Sequence, residues 1–121
     1  DPYHCQCQKT TRLLRDRLGW DEARVVTTFQ SVFGPEEWLK PYTVDEVARL
    51  AEAGNKTIAV IAPAFSADCL ETLEEINEEI RESFEEAGGE SFTYVPCLND
   101  DESHIDMMVD VIGENLAGWI G

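Results

Sequence analysis

The sequence predicts an α/β fold, a parallel sheet covered by helices on both faces, and three observations predict it. Short apolar runs at residues 25–29, 56–61 and 92–95 are too brief for helices, and the last two are stopped by Pro63 and Pro96. The stretches around them have helical spacing, with polar cap residues at their starts and glycines at their ends. The two kinds alternate as helix, strand, helix, strand, helix, strand, helix. With right-handed crossovers that order specifies a three-layer, Rossmann-like arrangement. The series opens on a helix, so the sheet is expected to lack its first strand.

At 121 residues the chain is read as a single domain, 1–121, without repeat, low-complexity tract or linker. A chain this long buries roughly 65% of its unfolded surface.

The first helix is predicted over residues 5–18, with Leu14 and Leu18 inward and Gly19 as its stop. Residues 25–29 form the first strand by their β-branched content. A long connection follows, residues 30–42, holding Phe33, Trp38 and Tyr42 together with Gly34, Pro35 and Pro41. Bulky apolar groups on a long loop point to a functional lip. Thr43 and Glu46 have the spacing of a capping box, opening a helix that ends near Ala53 and Gly54. After the third strand, Asn99 or Asp100 is expected to cap a last helix reaching about Leu116.

The central helix carries the candidate chemistry. Asp68 and Glu71 have capping-box spacing, Leu70, Leu73, Ile76 or Asn77, Ile80 and Phe84 repeat as an inward stripe, and Gly88 and Gly89 end it. Glu71, Glu75 and Glu79 stand at i, i+4 and i+8, about 100° round from that stripe. A regular helix would turn the row by roughly 40° per step, and a wider π winding would bring the three into closer register. Two readings fit: a solvated helix face with Glu71 as a capping partner, or a carboxylate row that expects a cation. Like charges at i, i+4 destabilise a helix by roughly 0.2–0.5 kcal/mol per pair. Only Arg81 is at hand to offset them, which favours the cation. Ligands of such sheets sit at the carboxyl ends of the strands. Residues 30–42, 62–68 and 96–100 should therefore share a crevice with the aromatic lip beside Glu71.

The net charge of −16 repels phosphate backbones, which excludes nucleic acid as a partner and favours cations. Most of the bases lie early, at Lys9, Arg12, Arg15, Arg17 and Arg24. No apolar run is long enough to span a membrane and no basic and apolar leader opens the chain, so the expected location is cytoplasmic, with at most peripheral membrane contact. Cys5, Cys7, Cys69 and Cys97 are expected as reduced thiols, and the Cys5-Gln6-Cys7 spacing is too short for the usual zinc motif.

Several segments together resemble a known family. Asp1-Pro2-Tyr3 with Cys5-Gln6-Cys7-Gln8-Lys9-Thr10, Phe29-Gln30-Ser31, Gly34, Trp38-Leu39, Pro41, Phe65, Asp68, Leu70-Glu71-Thr72-Leu73, Glu75 and Pro96-Cys97-Leu98-Asn99 follow in the order seen in the C-terminal part of bacterial ferrochelatases. The resemblance covers nearly the whole chain, and residues 68–75 are its most specific piece. It implies a chelatase-like half-domain of a two-domain enzyme that inserts Fe2+ into protoporphyrin IX, or into coproporphyrin, for haem synthesis. The missing N-terminal domain would be its partner.

By that resemblance Glu71 matches the essential glutamate. Glu75 and Glu79, with Asp68 and Cys69, match a proton or metal path, and Glu71, Glu75 and Glu79 are the candidate metal contacts. Tyr3, Gln30, Ser31 and Trp38 match the porphyrin cleft. The family's catalytic histidine would lie upstream of Asp1; His4 stands where relatives carry proline, and His104 belongs to the last helix. Val32 replaces a usual Lys or Arg, and Cys69 a frequent histidine. The tail from Gly113 to Gly121 has no cysteine, so no iron–sulfur cluster is expected, and no cofactor is required beside iron as substrate. This half alone is expected to be inactive. A non-catalytic acidic module that binds metal or porphyrin is the alternative.

Overall fold

A computed structural model of the chain describes residues 2–32 and 34–119. Asp1 of the amino-terminal motif, Phe33 of the lip, and Ile120 and Gly121 lie outside the described residues. The elements run α1 (Tyr3–Leu18), a 3-10 turn (Glu22–Arg24), α2 (Thr43–Glu52), β1 (Thr57–Val60), a π-helix (Glu71–Ile80), α3 (Arg81–Glu86), β2 (Ser91–Tyr94) and α4 (Glu102–Asn115). The class is α/β with a parallel sheet, as expected. β1 and β2 pair in parallel with Thr57 opposite Ser91 and Val60 opposite Tyr94.

The first expected strand does not form a ladder. Residues 25–29 are outside the sheet, and only Phe29 makes a bridge, to Tyr42, with its N–H on the Pro41 carbonyl and its carbonyl taking the Thr43 N–H, both at 2.9 Å. The β-branched run begins extended, Val25 having φ −134° and ψ 119°. Its threonines bind helices instead: Thr27 Oγ1 lies 2.7 Å from Thr11 Oγ1, and Thr43 Oγ1 donates to Thr28 Oγ1 at 2.8 Å. An extended chain becomes a strand only when a neighbour supplies the ladder bonds. Among the described residues the edge of β1 away from β2 has no strand partner.

The core lies between the sheet, α2 and the central helix, and consists of Val47, Ala51, Ile76, Ile80, Phe84 and Phe92. Phe84 is wholly buried, with its ring centroid 6.0 Å from that of Phe92. α1 has no buried residue and α4 buries only His104, so those two helices are held by polar and ring contacts rather than by core packing. Leu18 is exposed, contrary to expectation. Gly19, at φ +69°, ends α1 as predicted.

The central helix departs from the regular pattern in an instructive way. Ten residues, 71–80, are wound as a π-helix before the α-helical turn resumes at Arg81. The buried positions are Thr72, Ile76, Ile80 and Phe84, every fourth residue, while Leu70 and Leu73 are 68% and 51% exposed. A stripe read at 3.6 residues per turn puts those leucines inside; a wider winding turns them out. Both predicted capping boxes are absent, since neither helix start has a side-chain cap, and the cap of α4 is Asp101, which accepts from the Ser103 N–H at 3.0 Å. Among the described residues no helix is long and apolar enough to cross a membrane.

Candidate active site

The first turn of the acidic helix is built by Thr72. Its Oγ1 accepts the Cys69 N–H at 2.9 Å and reaches Asp68 Oδ1 at 3.0 Å, and the Cys69 carbonyl takes the N–H groups of Thr72 and Leu73 at 3.1 and 2.8 Å. This completely buried threonine does the work expected of an Asp68 cap.

Asp68 has a different role. Tyr94 Oη donates to its Oδ1 in a short hydrogen bond, Asn99 Nδ2 donates to Oδ2 at 2.8 Å, and the Cys97 N–H approaches Oδ1 at 3.4 Å. Asn99 also accepts the Asp68 N–H at 2.8 Å. These bonds, led by that of Tyr94, hold the Asp68 carboxyl well below the usual carboxylate range. Burial, and then donation to Asp68, pushes the Tyr94 phenol above its ordinary value. Asp68 thus anchors the end of β2 and residues 97–99 to the mouth of the acidic helix.

His104 adds a brace. Its Nδ1 is 2.7 Å from the Asn99 carbonyl, which accepts, and its Nε2 is 3.2 Å from Ser66 Oγ. Thr72, Tyr94, Asn99 and the His104 brace were not read from the sequence as site residues. The one available signal was a polar threonine on the inward row with Ile76, Ile80 and Phe84.

Glu71 lies at the helix mouth with its side chain exposed. The Cys69 thiol beside it, more than any other group, lowers its carboxyl below the ordinary value. Gln30 reaches across from the lip and donates Nε2 to the Glu71 carbonyl at 2.8 Å. One turn on, Glu75 accepts from Ser31 twice, from the N–H at 2.7 Å and from Oγ at 2.8 Å. The lip is therefore beside the acidic row, as predicted, and Gln30 and Ser31 face that row with their polar groups. Glu79 is exposed, two turns from Glu71. Among the described residues no ion pair reaches any glutamate of this helix, because Arg81 instead stacks on the Phe92 ring at 4.8 Å and donates to the Phe92 carbonyl at 2.6 Å. Glu71, Glu75 and Glu79 run along the helix rather than converging, and among the described residues no three His, Cys, Asp or Glu side chains gather as a metal group would.

Two cavities flank the lip. The larger, about 560 Å³, is walled by one face of α1 including Tyr3, by residues 27–31, by Trp38 and Thr43, and by residues 60–65 beside the free edge of β1. Tyr3 packs 6.5 Å from Phe29, and its phenol is raised chiefly by its hydrogen bond with Cys7. The smaller, about 340 Å³, is lined by Gln30, Ser31, Val32, Tyr42, Glu75, Glu79 and Ser83, among others. Of the three expected segments, 30–42 and 62–68 contribute to the larger cavity, whereas 96–100 turns onto Asp68. Glu71 stands outside both linings. His4 stacks on Phe29 at 5.6 Å, and all four cysteines are free thiols.

The family model of ferrochelatases matches residues 1–116. The chain is 75% identical over 120 residues to the ferrochelatase of Rhodobacter capsulatus, covering 99% of this chain and 34% of that protein. It is 58% identical to the ferrochelatase of Marinobacter nauticus, covering 98% of this chain and 32% of that protein. Identity to the ferrochelatase of Rhizobium meliloti is 57%, covering 99% of this chain and 35% of that protein. The chain thus spans about a third of the length of the curated relatives it matches. A match that runs almost end to end at this identity leaves one conclusion: the chain belongs to the ferrochelatase family.

Proposed function

We propose that this chain carries the glutamate side of a ferrochelatase active site, where ferrous iron is inserted into protoporphyrin IX in haem synthesis. Two pyrrole protons must leave before the metal seats, and in this reading the Glu71 carboxylate accepts them one after the other, passing the first to solvent before it takes the second. The Cys69 thiol keeps that carboxylate available. Glu79, exposed two turns further along the helix, continues the row toward solvent, where protons leave or cations arrive. Divalent iron is compatible with carboxylate ligands that release it readily.

Tyr3, Gln30, Ser31 and Trp38 form one wall of the porphyrin cleft, and a tight aromatic slot favours the bent macrocycle that metallation needs. Iron is a substrate here, and the reaction as proposed needs no further cofactor and no iron–sulfur cluster. The rest of the protein, its N-terminal domain in particular, would supply the opposite wall, so this chain alone is inactive. The complete enzyme would act in the bacterial cytoplasm.

One observation carries this reading: the lip is tied to the acidic helix at Glu71 and Glu75 by three hydrogen bonds from Gln30 and Ser31. The test is Glu71→Gln in the complete protein. Zinc insertion into protoporphyrin should fall by about 10²–10⁴-fold, while porphyrin binding, followed by absorbance, persists. Insertion at wild-type rate would refute the role of Glu71. Robust insertion by residues 1–121 alone would refute the half-site.

A further inference from the structure

Resting on that reading, we propose that Ser31 and Glu75 are a positioning pair, a clasp that fixes the lip against the acidic helix, and that Glu75 acts through Ser31 rather than on the metal. The backbone N–H and the hydroxyl of one serine fork onto the two oxygens of one carboxylate, at 2.7 Å to Oε1 and 2.8 Å to Oε2. A donor pair aimed at both oxygens of a half-buried carboxylate fixes direction as well as distance. Glu75 therefore differs from Glu71 and Glu79, whose carboxylates face outward.

Ser31 has φ +60°, a left-handed conformation that a serine adopts only when its surroundings hold it there. The clasp is what holds it, and Gln30 on the Glu71 carbonyl braces the preceding residue. Gln30 and Ser31 also belong to the linings of both cavities. The clasped lip is thus the partition between the aromatic space containing Tyr3 and Trp38 and the acidic space containing Glu75 and Glu79.

Glutamine at position 75 separates the clasp from a ligand role. Its carbonyl oxygen can accept the Ser31 N–H and its amide can donate to Ser31 Oγ, so the clasp survives. A neutral amide cannot carry a proton onward and is a poor cation ligand. The experiment uses the complete protein with Glu75→Ala, Glu75→Gln, Ser31→Ala and the Ser31→Ala/Glu75→Ala double variant. Zinc insertion into protoporphyrin and amide hydrogen exchange at residues 30–32 are the readouts.

The clasp predicts that Glu75→Ala lowers kcat/KM for porphyrin by about tenfold or more, the worth of a charge-assisted hydrogen bond. Ser31→Ala should have a milder effect, and the double variant should be no worse than Glu75→Ala. Glu75→Gln should stay within about threefold of wild type with an unchanged KM for zinc. Exchange at Ser31 should be slow in the wild type and in Glu75→Gln and at least about tenfold faster in Glu75→Ala. The clasp is overturned if Glu75→Gln loses insertion as fully as Glu75→Ala with a raised KM for zinc, or if Ser31 exchanges equally fast in wild type and Glu75→Ala. Should the wild-type protein insert no metal, the proposed reaction falls, while the exchange result still decides the clasp.

Discussion

Thr72→Val is the sharpest test of how the acidic helix is seated. Valine keeps the shape of threonine and replaces its hydroxyl by a methyl group. In the wild type that hydroxyl accepts the Cys69 N–H at 2.9 Å, inside a side chain with no exposed surface. Removing the hydroxyl takes the acceptor from the half-buried Cys69 N–H and the donor from Asp68 Oδ1, which together cost about 2 kcal/mol within a usual span of roughly 1–3 kcal/mol. Thr72→Ser keeps the hydroxyl and loses one buried methyl, which costs about 1 kcal/mol. Urea unfolding of the complete protein should therefore rank wild type above Thr72→Ser and Thr72→Val lowest. Zinc insertion should fall further in Thr72→Val, because Glu71 is the adjacent residue. If Thr72→Val is as stable as Thr72→Ser, the polar seating of the helix mouth is wrong.

Further outcomes follow from particular contacts. Gly89→Ala would bring a side-chain carbon to 2.2 Å from the Phe84 ring, and such overpacking should cost about 1–3 kcal/mol or more in the same unfolding experiment. Asp68 has a depressed folded-state pKa, so its contribution is present above the unfolded carboxylate value near ~3.9 and is lost as pH falls below it. Asp68→Asn should flatten the acid limb of a stability–pH curve, and an unchanged limb would contradict this anchor. Cys69→Ala removes the thiol that lowers the Glu71 carboxyl, so the acid limb of the kcat/KM profile should move to higher pH. Cys69→Ser, which keeps a donor, should move it less.

Much of this was legible in local patterns. Gly19 and Gly88 mark helix ends because both take positive φ, at +69° and +105°, where glycine is at no disadvantage. Ile80 and Phe84 are inward by spacing and are buried, Ile76 rather than Asn77 fills the position between, and the π winding that brings Glu71, Glu75 and Glu79 into closer register is present. The same winding is why Leu70 and Leu73 were misread: a stripe counted on a regular helix turns the wrong way on a wider one.

Capping boxes at Thr43 and Asp68 had the right spacing, but stronger partners from elsewhere took the side chains. Glu46 goes to Arg49 and Asp68 to Tyr94 and Asn99. Residues 25–29 carry strand propensity, yet propensity supplies no neighbour for the ladder. The clasp was hidden for the same reason, since Ser31 and Glu75 are 44 residues apart and nothing local links them.

The most direct measurement is a crystal structure of the complete protein with a porphyrin bound. It should place the Glu71 carboxylate within hydrogen-bond reach, roughly 2.6–3.2 Å or through one water, of a pyrrole nitrogen, with Trp38 against the macrocycle. A porphyrin seated elsewhere, with Glu71 turned to bulk solvent, would contradict the metal-insertion role proposed for this chain.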